Sequence, residues 1–149
     1  MCLAAVPLAA QSPQDLMFPT RATCYARDYS AAHLADHPAQ RVTSIALTPA
    51  DGTGTDPRLQ LWVTLTVKDW PGEHLLALGY CENNGADTLY CGMEGDASGF
   101  TVTPAKGGAV LVSVSSLGMG FEGERGFVTL ERTRGDDRQF LLQPTRDCR

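Results

Sequence analysis

Three histidines, a few separated carboxylates and a set of cysteines are the side chains of this 149-residue chain whose types and spacing can support chemistry. His33 and His37 lie four residues apart in a segment that reads as a short helix, so they share one face. That is the spacing of a two-histidine metal site, with Asp36 or His74 as a third ligand. Residue 34 is Leu, however, where hydrolytic zinc helices carry Glu beside the first His. A hydrolase using His33 or His37 is the reaction such a pair would serve; surface histidines are the simpler reading. Asp51-Gly52-Thr53-Gly54-Thr55-Asp56 alternates oxygen-bearing and small residues like a calcium loop but lacks the distal bidentate Glu, and reads as a strand connection. Glu82 and Glu94 flank a hairpin and read as solvated strand ends rather than an acid–base pair. The expectation is therefore no catalytic set, no metal and no cofactor.

The cysteines speak to compartment and cross-linking. Met1 to Ala10 read MCLAAVPLAA, an apolar run ending in small residues just before Gln11-Ser12-Pro13-Gln14-Asp15. This is the pattern of the second half of a secretory leader, so residues 1–10 are expected to be a signal remnant and 11–149 a single β-domain. Lipidation at Cys2 is the lesser reading, because the residues after it are apolar rather than a polar tether. Setting Cys2 aside leaves Cys24, Cys81, Cys91 and Cys148, which allow three pairings. Cys81 and Cys91 flank a turn-rich segment and can face each other across a hairpin; Cys24 and Cys148 would then join the first structured segment to the last. A four-thiolate metal site would need tight C-x2-C pairs, and there are none. Two disulfides imply a periplasmic or secreted protein.

The elements that must position these groups are strands. Leu59, Leu61, Val63, Leu65 and Val67 alternate without a break with Gln60, Trp62, Thr64, Thr66 and Lys68, the period of a pleated strand with one face on a core. The run stops at Asp69-Trp70-Pro71-Gly72-Glu73, whose Pro-Gly pair suits a type II turn. Further strands are expected over 22–27, 41–48, 73–82, 88–94, 99–103, 109–114, 126–132 and 139–142, separated by Asn-Gly, Gly-Gly and Asp-rich turns. Residues 74–81 are apolar on both parities, which predicts a central strand covered on both faces. One short helix is expected over 31–37, capped by Ser30, stopped by Pro38 and placed to plug a barrel end. The glycine-rich stretch 117–126 reads as a mobile flap or a loose connection. The fold class is all-β: an antiparallel meander of eight or nine strands closed as a β-barrel, with a β-sandwich as the alternative closure.

Several fragments resemble known families. Ser30-Ala31-Ala32-His33 and Gly95-Asp96-Ala97-Ser98-Gly99 resemble the histidine and serine segments of chymotrypsin-like proteases, but the serine sits one position late and the chain is too short for their double barrel. Residues 33–43, Cys91-Gly92-Met93-Glu94-Gly95-Asp96 and Asp136-Asp137-Arg138-Gln139-Phe140 are similar to segments of small secreted bacterial proteins with no assigned function. Ser98-Gly99 followed by Lys106-Gly107-Gly108 resembles loop motifs of periplasmic lysozyme-inhibitor barrels, although the tyrosines of those motifs are missing. That likeness implies Ser98 and Lys106 as binding residues.

A net charge of −5 with only 12 Lys and Arg argues against a nucleic-acid partner, and no apolar stretch is long enough for a membrane span. The C-terminal arginines, Arg125 to Arg149, are interleaved with acids and read as a mixed solvated surface. Trp62 lies on the outward parity of its strand, where an exposed indole suits a partner contact and a covering loop or the helix would equally bury it. The expectation is a non-enzymatic binding protein for a protein partner, with Trp62, Ser98 and Lys106 as binding residues. A lipocalin-like carrier of a small apolar ligand, gated by the glycine-rich stretch, is the alternative.

Overall fold

The structure is a computed structural model that describes residues 7–51 and 57–148. Its elements are α1 (Pro13–Met17), β1 (Cys24–Asp28), α2 (Ala31–Asp36), β2 (Val42–Pro49), β3 (Leu59–Val67), β4 (Leu75–Asn84), β5 (Thr88–Met93), β6 (Ser98–Pro104), β7 (Val110–Gly123), β8 (Gly126–Leu130) and β9 (Gln139–Thr145). Each strand from β1 to β7 pairs antiparallel with the next, β7 pairs with β9, and β9 returns to β1. Eight strands thus close a barrel, which settles the closure in favour of a barrel over a sandwich. β8 is a ninth strand attached to the far half of β7.

Alternation carries the core. Leu61, Val63, Leu65 and Val67 of β3 are buried, and they face Ala77 and Leu75 of β4 and Leu47 and Ile45 of β2 in register. Phe100, Phe121 and Phe140 are buried with them, so large side chains fill the interior. Gly79 faces inward, and a Cβ there would lie 2.8 Å from the Phe100 ring. A glycine at this point makes room for a phenylalanine two strands away.

Both expected disulfides form. Cys81 and Cys91 are directly opposed in the β4–β5 hairpin, and Cys24 joins Cys148 across a sequence separation of 124. The long bridge sits on the seam where the barrel closes. There β1 and β9 share a short register, Cys24↔Thr145, Tyr25↔Pro144 and Ala26↔Gln143, and Pro144 has no N–H to give the ladder.

Three expectations are corrected. The helix at 31–36 forms with Ser30 as its cap, its Oγ accepting from the His33 N–H at 3.1 Å, but none of its residues is buried. The barrel end is plugged instead by α1, a helix too short to show a period in the sequence. Met17 and Phe18 are buried there, the Tyr25 hydroxyl donates to the Met17 carbonyl, and Phe18 meets the Tyr25 ring edge-on at 5.3 Å. Second, the glycine-rich stretch 117–126 is neither flap nor loose connection: it is the second half of β7 turning into β8. Third, β4 is not covered on both faces, because Leu76 on its outer side is 49% exposed.

Candidate functional site

The uncovered face of β4 is the floor of a groove of about 1010 Å³. Trp62 of β3 lies opposite Leu78 of β4, and Leu76 lies opposite Thr64. Strand alternation, which sends Val63 and Leu65 inward, sends Trp62 outward; it is 40% exposed. A wall is formed by the β7–β8 hairpin, which continues the sheet beside β4 through Leu76↔Glu122 and Glu122↔Phe127, and Phe127, 55% exposed, lies across the backbone of Gly120. The end of β5 and the short helical turn Gly95–Ala97 form the third side, with Glu94 and Asp96 at its rim.

The hairpin is held in place by a latch. Glu73 accepts from the Arg125 backbone N–H at 2.9 Å, its other oxygen lies 3.4 Å from Arg125 Nε, and its side chain is only 10% exposed. Gly123 permits this approach, since a Cβ there would lie 2.4 Å from Glu73 Oε1 and 2.3 Å from Leu75 Cδ2. Beside it, Glu122 registers with Leu76 of β4. The wall is therefore fixed relative to the floor.

The sequence-derived candidates are distributed unevenly around this groove. Trp62 lines it. Ser98 follows the groove-lining Ala97, but its hydroxyl is engaged with Ser115 Oγ at 2.7 Å, and its backbone has φ 61, a left-handed value uncommon outside glycine. Lys106 lies beyond the other end of β6, in the turn leading to β7 at the opposite pole of the barrel. Ser98 and Lys106 are thus not brought together. Sequence reasoning does not reach Phe127 as a groove residue: its strand is legible, but its position over Gly120 depends on how β7 extends past the barrel.

The remaining candidates are occupied with one another. The His33 and His37 rings stack at 4.2 Å, Tyr29 lies 4.8 Å from the His33 ring, and the Arg27 guanidinium lies over the Tyr29 ring at 5.0 Å. Buried Gln40 donates through Nε2 to the Val42 carbonyl, which leaves its Oε1 to accept from His33 Nε2 at 2.9 Å. Ser98 and His33 therefore have separate partners, and no nucleophile–base contact links them. Glu94 accepts from the Tyr80 hydroxyl at 2.8 Å, while Glu82 lies 3.9 Å from Arg58. Among the described residues no group of three or more His, Cys, Asp or Glu side chains is placed to hold a metal ion. Residues 52–56, most of the calcium-loop candidate, lie outside the described residues, as do Cys2 and the first part of the leader-like segment.

Among the described residues one carboxylate is buried. Asp137 accepts from the backbone N–H groups of Arg41 at 2.8 Å and Val42 at 3.1 Å, tying the β8–β9 connection to the start of β2. Burial raises its pKa above the ordinary aspartate value, and those two hydrogen bonds act against the rise. Its partners are all backbone, which marks it as a structural clamp. Comparison of the chain with known protein families, curated sequences and solved structures returned no match.

Proposed function

We propose that this is an exported, non-enzymatic binding protein that receives a protein partner in the groove between β4 and the β7–β8 hairpin. The observation that carries the reading is the exposed apolar surface of Trp62 and Leu76 on the groove floor and of Phe127 on the hairpin latched beside it. Indole and phenyl groups held half in water at such a place release free energy when a partner desolvates them, as interface hot spots do. The filled interior, with Phe100, Phe121 and Phe140 buried, favours this outer site over a ligand carried inside the barrel. The two disulfides and the leader-like residues 1–10 support export to an oxidising compartment such as the periplasm. Among the described residues no helix is long and apolar enough to cross a membrane.

The test is affinity capture from an extract of the host periplasm, comparing the wild type with a Trp62→Ala/Phe127→Ala variant. Both side chains are on the surface, so the variant should keep the wild-type circular dichroism spectrum. Loss of hot-spot contacts worth ~2 kcal/mol or more should weaken retention of a specific partner by roughly 30-fold. Capture of nothing by the wild type, or of the same proteins in equal amounts by both, overturns the proposal.

A further inference from the structure

Resting on the reading that the groove receives a protein, we propose that its occupant is a basic, extended segment of that partner. One aliphatic or aromatic side chain would sit on Trp62, Leu76 and Phe127, with lysine or arginine on either side of it. The argument is the charge of the rim. Glu94, Asp96, Glu122 and Glu124 all line the groove, and no lysine or arginine does. Arg125 in the hairpin turn has its side chain on Glu73, so that pair adds no net positive charge to the groove. Among the described residues Glu122 and Glu124 enter no ion pair, so the hairpin side of the groove adds two carboxylates without a cationic partner to Glu94 and Asp96.

Four carboxylates around a low-dielectric apolar floor focus a negative field there, and such a field selects a positively charged partner. The aromatic faces of Trp62 and Phe127 add to the attraction for a guanidinium or ammonium group. The same field disfavours a second copy of this chain, which carries a formal charge of −5, and disfavours nucleic acid or an anionic lipid surface. The volume of about 1010 Å³ lies at the upper end for a small-molecule pocket, and its lining spans β3, β4, β7 and β8. A stretch of extended chain fits both facts.

The test uses fluorescence anisotropy with short labelled synthetic peptides that alternate leucine with lysine, with glutamine or with glutamate. The lysine peptide should bind at least about tenfold more tightly than the glutamine form, with an affinity that falls as salt rises, and the glutamate form should not bind. Glu122→Gln/Glu124→Gln should weaken the lysine peptide about tenfold and flatten its salt dependence, and Trp62→Ala should weaken every peptide that binds. Equal binding of the lysine and glutamine peptides, or no effect of the glutamine substitutions, overturns the basic occupant while leaving a Trp62-dependent groove standing. Binding of the lysine peptide that survives Trp62→Ala is non-specific attraction to an acidic protein and counts against the inference, as does failure of that peptide to bind.

Discussion

The two disulfides differ in what they should contribute, and the difference follows from the loops they close. Cys24–Cys148 has a sequence separation of 124, Cys81–Cys91 one of 10. In the chain-entropy account the long bridge stabilises the fold by about 4.9 kcal/mol and the short one by about 2.7 kcal/mol. The structure adds a reason for the order to hold: the long bridge fastens the weakly paired β1–β9 seam, while the short one duplicates a β4–β5 hairpin already registered from Gly79↔Met93 to Asn84↔Thr88. Truncating buried cysteines would mix in a packing penalty, because Cys81 and Cys91 are both buried. The clean measurement therefore keeps one bridge at a time, Cys81→Ala/Cys91→Ala or Cys24→Ala/Cys148→Ala, and compares oxidised with reduced forms of the same variant by urea unfolding. A stabilising osmolyte in both arms keeps reduced forms folded. The oxidised–reduced difference should be larger for the long bridge by about 2 kcal/mol, and oxidation should lower the urea m-value because the cross-linked unfolded chain is more compact. A short bridge that stabilises as much as the long one would refute the reasoning.

Two further outcomes follow from packing and charge. Gly79→Ala should destabilise the barrel by about 1–3 kcal/mol, because the new Cβ would press on the Phe100 ring, and Phe100→Leu in the same chain should recover part of that loss; simple additivity of the two substitutions in thermal unfolding would deny the contact. Asp137, whose folded pKa is raised by burial, binds its proton more readily in the native state than in the unfolded one, so its contribution to stability is fully present below the ordinary aspartate pKa and declines as pH rises through the raised value. The penalty of Asp137→Asn should consequently be greater near pH 3 than at pH 7, and a penalty that instead grows with pH would reverse the assignment.

Much of the barrel was legible because its strands alternate: the run from Leu59 to Val67 declares its inner face residue by residue, and that parity alone sends Trp62 outward. The cysteine pairing was legible for a related reason, since a turn-rich segment between Cys81 and Cys91 all but forces them into opposition. The second half of β7 was not. Its glycines resemble a loop in composition, and their purpose shows only when Phe127 lies across Gly120 and Glu73 reaches past Gly123. α1 was missed because five residues cannot display helical periodicity, although Ser12 and Pro13 are a proper helix start. The groove was hidden by the same extension of β7, for Leu76 and Leu78 read as residues awaiting a cover, and the hairpin instead adds a side wall beside them.

The Cys24–Cys148 bridge also fixes where the molecule can be held. α1, the start of β1 and the end of β9 all gather at the pole near the β4–β5 turn, with Gln14 bonded to the Asn83 side chain at 2.9 Å, while the β7–β8 hairpin stands at the other pole. A surface linkage or a fused reporter attached at α1 or at Cys148 would therefore leave from the far side of the barrel, with the groove beside the β7–β8 hairpin turned away from whatever the protein is fastened to.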